Sequence, residues 1–413
     1  MKIIRLLTTM ILLSGAVPAL AEDSYPDFKV TGFGTLGASG TDTDRLAFRS
    51  DIKQTPGVTD SWGFDTDTRM GLQVDVDINE SWHAMAQWIA RNTAGDFLEQ
   101  NLDWAFLRWR PADDLDIRVG RLGIDTFMLS EYRNVGYAYL WMRPPHEFYS
   151  GLPVYHFDGA DIAKKFEIGE GVMTVKAFGG HSFTQVPTNL SGLAEQDLTL
   201  IGGKLAYEVG NWNARISYNY SLNNDEIAPL QPLLTALNST EINAVWPGAQ
   251  ALAGKIATKN KVVHFSSIGL GYDDGIWLAQ MEASYTHTDM TVYPSVASAY
   301  LSAGRRLGKV TLYSLFGISE TLNNPVNVSN PLVPVPEIIE LRNAADQLLN
   351  TNGVDEQSVS LGLRWDVHEH VALKTQWSHN WLGNNGASLW LPRGTGSTPD
   401  TVNVWSVGMD FMF

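Results

Sequence analysis

The chain has no cysteine among its 413 residues. Disulfide frameworks, thiolate nucleophiles and thiolate metal sites are therefore excluded. Beyond the extreme N-terminus it offers no run of ~20 uninterrupted apolar residues, so no membrane-spanning helix is encoded. No G-x-S-x-G, H-E-x-x-H or phosphate-binding glycine loop occurs, and no cofactor is implied. Positive charge is scarce. Lys and Arg number 29 against 45 Asp and Glu, a net charge of −16, which argues against nucleic acid as a partner. The mean hydropathy of −0.11 fits either a soluble exported protein or a barrel whose polar lumen dilutes the apolar signal.

What is present begins at the two ends. Lys2 and Arg5 precede the apolar stretch 6–13, and Ala19-Leu20-Ala21 is followed by Glu22 and Asp23. This pattern predicts a secretory signal peptide over 1–21, leaving 22–413 as the mature domain. Its removal takes Lys2 and Arg5 away and shifts the net charge from −16 to −18. At the other end, Asn403, Trp405, Val407, Met409, Phe411 and Phe413 share one strand face, while Gly408 and Asp410 lie on the other. A soluble protein rarely leaves such an edge bare, because it invites pairing with other chains. A closed barrel removes the edge.

Alternating segments recur through the chain. In 69–78, Met70, Leu72, Val74, Val76 and Ile78 face one way, and Arg69, Gly71, Gln73, Asp75 and Asp77 the other. The period is that of a strand, but the second face needs water. Similar segments are 28–39, 82–91, 102–110, 115–121, 158–168, 171–180, 198–209, 212–223, 261–272, 276–288, 291–306, 309–319, 358–367, 371–382 and 402–413, which makes sixteen strands. Short connections alternate with mostly long ones, 40–63, 92–101, 122–157, 181–196, 224–260, 320–357 and 383–401. Short turns at one end and long loops at the other are the mark of a transmembrane antiparallel β-barrel. Trp82, Trp109, Tyr207, Trp212, Tyr272, Trp277, Trp365 and Phe413 sit beside the short turns on the apolar parity, as an interfacial girdle would.

With its aromatic terminus, its Val119-Gly120-Arg121 strand end and the long third loop behind it, the chain resembles the sixteen-stranded Gram-negative porins. The resemblance implies an all-β barrel in the outer membrane of a Gram-negative bacterium, with a third loop folded inward. It also implies a homotrimer of water-filled channels for small hydrophilic solutes and ions, with no enzymatic step. Phe413 matches the family's assembly signal. The implied partners are outer-membrane lipids, lipopolysaccharide and the barrel-assembly machinery. Two other readings stay open: a substrate-selective channel for sugars or small anions, and a barrel enzyme.

Residues 122–157 carry Asp125, Glu131 and Glu147 with Asp158 at the loop's end, and also Tyr132, Tyr137, Tyr139, Trp141, Tyr149 and Tyr155. This is too aromatic for disorder and too long for a plain connection. Strands two to five place Arg69, Arg91, Arg108, Arg110 and Arg118 on the water-facing parity, with Arg121 as a further candidate. An arginine row facing loop carboxylates would set a transverse field across a pore. The net charge gives a default preference for cations, which the arginine row opposes locally. Asp42, Asp44, Asp65 and Asp67 are candidates for a divalent ion, whereas Asp75-Val-Asp77-Ile-Asn79 lacks the glycine and glutamate of a calcium loop. His368 and His370 flank a turn without convergent ligands. Apolar residues at helical spacing predict short external helices in 336–349 and 247–258.

Overall fold

The computed structural model describes residues 25–55, 57–187, 192–393 and 398–413. The segment 1–21 lies outside them. Sixteen long strands form one closed barrel. They are β1 Asp27–Thr41, β2 Arg69–Asp77, β3 Trp82–Arg91, β4 Leu102–Ala112, β5 Leu115–Gly123, β6 His156–Ile168, β7 Gly171–Pro187 and β8 Leu193–Val209. The second half comprises β9 Trp212–Asn223, β10 Val262–Asp273, β11 Trp277–Thr288, β12 Val296–Leu307, β13 Val310–Thr321, β14 Val354–His368, β15 Val371–Ala387 and β16 Thr401–Met412. Each strand pairs antiparallel with its sequence neighbours, and β16 closes on β1. All sixteen predicted strands are present. β7 and β8 run on past their predicted ends as a paired ribbon, with Phe183 opposite Asp197 and Gln185 opposite Glu195. That extension carries polar residues on both faces, so hydrophobic alternation does not mark it, yet the backbone ladder continues. β12 starts later than predicted, after Pro294, which cannot donate to a ladder.

The outward face is apolar and bare. Val119, Ile201, Ile216, Ile268, Leu301 and Leu361 are each more than half exposed. Exposure of that extent around the wall has a use only in lipid. At the short-turn end Trp82 stacks on Trp109 at 5.9 Å between ring centres, and Trp212 lies 4.6 Å from Tyr272. Trp277, Trp365 and Phe413 continue this girdle and are exposed. Among the described residues no helix is long and apolar enough to cross a membrane, which says nothing against strands.

The seam depends on the terminal residues. Gly32 and Phe413 exchange backbone hydrogen bonds of 2.8 Å in both directions. The Phe413 ring lies over Gly32 and the Phe411 ring over Gly34, where any side chain would collide with them. The glycines thus leave room for aromatic rings across the closing edge, a device that stiffens glycine-rich strand pairs.

External loops cover the other end. Helices α3 Gln231–Leu237, α4 Thr240–Val245 and α5 Ala249–Ile256 pack with α6 Pro336–Asn350. Their core includes Leu230, Leu237, Trp246, Ile256, Ile338 and Ala345. The two predicted helices are α5 and α6, and α3 and α4 are additional. A separate cluster joins the first loop to the last through Leu46, Phe48, Val58, Leu389 and Trp390, backed by a two-stranded ribbon of Leu46–Ala47 with Leu391–Pro392.

Two measurements test this architecture. Deleting Phe413 removes both seam hydrogen bonds, worth about 1 kcal/mol each, and uncovers Gly32. Heat-resistant folded barrel should fall, and normal levels after deletion would show that the seam does not need this residue. Cys introduced at exposed Gln250 or Glu340 should react with a membrane-impermeant label on whole cells, and Cys at Glu80 should not. The reverse pattern would invert the barrel in its membrane.

Candidate functional site: the third loop inside the barrel

The third external loop, residues 124–155, does not stay outside. It descends into the lumen and is tied to the wall around most of its circumference. Buried backbone polar groups in such a position need partners, and the wall supplies them. On β15, Lys374 Nζ donates to the carbonyls of Gly136, Tyr139 and Trp141 at 2.7, 2.7 and 2.8 Å. On β14, Arg364 donates to the carbonyls of Tyr137 and Tyr139 at 2.8 and 2.9 Å. On β11, Glu282 accepts from the Met128 amide at 2.9 Å and from the Tyr149 hydroxyl. Trp141 donates to Ser302 of β12 at 2.7 Å, and Tyr137 reaches the carbonyl of Glu369 in a short turn at 2.7 Å. The loop therefore spans nearly the full depth of the barrel.

Two buried charged clusters hold it. Asp125 lies at the meeting point of Lys176, Lys204 and Arg215, from β7, β8 and β9. Burial alone would raise its pKa, but these cations outweigh burial and hold the carboxyl well below the usual range. A depressed pKa stabilises the folded state above the usual carboxylate range, and the contribution is lost only as pH falls through the depressed value. Further along the loop Arg143 donates two 2.8 Å bonds to Asp67, and one bond each to Ser39 and Ser406. Between the clusters Phe127, Tyr139, Trp141, Phe148 and Tyr149 pack on Phe265, Tyr300 and Tyr313 of the inner wall.

The predicted site residues divide into three groups. Arg108, Arg110 and Arg118 lie on the lumen face. Arg110 pairs with Asp116 at 3.0 Å, Arg108 approaches it at 3.9 Å, and Arg118 makes a two-pronged bond to Asp161 at 2.5 to 3.1 Å. The side chains of Arg108 and Arg110 keep 30% and 40% of their surface exposed, so water reaches them inside the barrel. Glu131 projects from the loop, exposed, within electrostatic range of Arg118 and Lys204. Cations of the wall and a carboxylate of the loop thus share the lumen.

Arg69 and Arg91 face inward too but serve the loop. Arg69 donates to the Asn134 carbonyl and the Tyr139 hydroxyl, and Arg91 to the Asn134 side chain and to Asp103. A bulge between Leu102 and Trp104 turns Asp103 inward to meet them. Nearby, Arg91 and Arg133 with Lys53 of the first loop surround the Tyr155 ring at 5.1, 3.5 and 4.5 Å. Burial and the neighbouring Arg91 push Lys53 down to about 7.

Three expectations need correction. Glu147 does not face water. It is 3% exposed, packed into the space left by Gly317 and near Ser358, and burial raises its pKa. Short helix α2, His146–Tyr149, carries it to the wall along with His146, whose pKa burial, Arg143 and Arg49 lower to about 3. Asp125 is an anchor, 1% exposed. Arg121 lies three residues beyond inward-facing Arg118, so alternation puts it on the outer face, where it pairs with Asp158 at 2.8 Å. Asp67 is likewise drawn from the proposed divalent cluster by Arg143. Among the described residues no three His, Cys, Asp or Glu side chains are placed to hold a metal. The sequence reading missed Lys176, Lys204, Arg215 and Lys374. Each lies on the inward parity of its strand, and the alternation rule used for strands two to five would have found them.

A closed antiparallel sixteen-strand barrel with an inward third loop defines the class: an outer-membrane barrel of porin fold. Similarity to solved structures agrees. The chain is 13% identical to an anion-selective porin from Comamonas acidovorans over 94% of this chain and 100% of that one, with a TM-score of 0.54. For the OmpF of Salmonella typhi, solved in complex with daunomycin, the values are 12%, 94%, 98% and 0.52. For the outer-membrane channel DcaP of Acinetobacter baumannii they are 11%, 96%, 100% and 0.51. No family model matches the sequence, and no curated protein does.

Asp125→Asn should leave Lys204 and Arg215 without their carboxylate, while Lys176 keeps Asp161 at 3.0 Å, at a cost of about 3–5 kcal/mol by analogy with broken buried ion pairs. Limited proteolysis of the folded barrel should then cut within 124–155, where the parent resists. Unchanged resistance would mean that the remaining anchors suffice.

Proposed function

We propose that this chain is an outer-membrane channel of a Gram-negative bacterium through which small hydrophilic solutes and ions diffuse passively. The observation that carries the reading is a closed barrel in which an exposed loop carboxylate, Glu131, lies within electrostatic range of wall cations Arg118 and Lys204. Half-exposed Arg108 and Arg110 lead to that point. Opposed charges across the lumen filter solutes by charge and size without any chemical step.

Residues 1–21 act as the export signal in this reading, and lipid and lipopolysaccharide contact the apolar belt. The barrel-assembly machinery receives the strand ending at Phe413. A homotrimer is proposed with its contact on β3, whose outward face carries Ala84 and Ala86. Small side chains let neighbouring walls approach closely in a membrane.

Planar-bilayer recordings in a salt gradient test the channel and its filter together. Purified protein should give discrete ion currents. Arg110→Gln combined with Lys204→Gln should shift the reversal potential towards cation preference, and Glu131→Gln should shift it towards anions. The shifts should shrink at high ionic strength, where the charges are screened. A folded double variant with the parent's reversal potential and conductance would remove these residues from the filter.

A further inference from the structure

We infer that the lumen holds a binding site for a neutral saccharide on the periplasmic side of the third loop. The inference rests on the channel reading above and adds a ligand class to it.

The site is a cavity of about 400 Å³ between the loop and the inner wall of β9 to β14. That lies within the range of small-molecule sites, ~300–1,000 Å³. Its roof is the loop itself, with Tyr132 and Tyr137 part-exposed and Trp141 buried; the Arg364 guanidinium lies 4.8 Å from the Tyr137 ring centre. Asn213 and Gln280 from the wall add neutral hydrogen-bonding groups. Its floor is set by two ion pairs near the short turns. Arg306 holds Asp273 with bonds of 2.5 and 2.8 Å, and Arg364 holds Asp366 at 2.8 Å.

Three properties select the ligand class. First, the cavity's four charges cancel in pairs. A charged solute would have to break one of those pairs or sit near both signs, so the site offers it no net attraction. Second, the carboxylates remain wet, with 49% of the Asp273 side chain and 38% of the Asp366 side chain exposed. A paired carboxylate still has lone pairs to accept hydroxyl protons. Third, the roof presents the part-exposed tyrosine rings of Tyr132 and Tyr137. A pyranose ring has one face of C–H groups and an edge of hydroxyls, which matches an aromatic roof over a polar floor. A purely apolar solute would leave the floor's polar groups desolvated and unpaired. The ring positions are also fixed: Trp141 is tied to Ser302 and Tyr137 to the Glu369 carbonyl. No ordering of the roof is then required on binding.

Maltose, gluconate and glucosamine serve as probes for the neutral, anionic and cationic cases. Calorimetry on the detergent-purified full barrel and bilayer current block are run in parallel. Maltose should bind saturably and reduce the ion current with the same midpoint, while gluconate and glucosamine should do neither. Tyr132→Leu and Asn213→Ala, each checked for heat-resistant folding, should weaken the maltose midpoint roughly ten-fold. Ion current with no saturable maltose binding overturns the site and leaves the channel standing. Saturable binding without any current upholds the site and overturns the channel. Equal binding of gluconate or glucosamine, or maltose midpoints unmoved in both folded variants, overturns the assignment to a neutral saccharide in this cavity.

Discussion

The structure depends on one constraint: a backbone that crosses lipid must satisfy its own hydrogen bonds. Strands can do so only when the sheet has no free edge. Closure of β16 on β1 meets that requirement, and the Gly32–Phe413 pair lies at the end of the seam. Closure also divides every strand into two faces with opposite solvents. Ile201, Ile216 and Ile268 go to lipid, while Arg215, Ser217 and Ser267 go to the interior.

The polar interior then makes an inward loop possible. A peptide segment entering a closed barrel brings amides and carbonyls that water no longer fully serves. Lys374, Arg364 and Glu282 meet those groups at the wall, and Asp125 and Arg143 fasten the loop through charge. Burying so many charges is costly unless each is paired and hydrogen-bonded. Here the cost is offset by mutual satisfaction: wall cations meet loop carbonyls and carboxylates, and little charge is left alone. Aromatic packing of Phe127, Tyr149 and Tyr300 fills the space between. The loop is thereby a fixed partition, with exposed Glu131 on it and a cavity between it and the wall of β9 to β14.

Strand count, strand facing and the aromatic girdle were legible because alternation with period two is a local property. Each of the sixteen strands is written in its own residues, and Trp82, Trp109 and Trp212 beside short turns locate one membrane interface. The inward facing of Arg108, Arg110 and Arg118 follows from the same rule, and so does the outward facing of Arg121, where the rule was not carried through. Loop helices α5 and α6 were visible from their 3.6-residue spacing. By contrast, α3 follows Pro229 and carries Pro232 in its first turn, in a loop where external packing decides the structure.

The sequence by itself determined the barrel, its orientation of faces and the existence of a long aromatic third loop, because each depends on spacing along the chain. Only the tertiary structure decided what that loop does. Whether Asp125 meets water or three cations depends on strands seven, eight and nine, which lie 51 to 90 residues away. Whether Glu147 faces the pore depends on the space left by Gly317 on β13. A carboxylate carries no local signal for which wall it will reach. Its role is set by the partners that closure brings around it, and closure is a property of the whole chain.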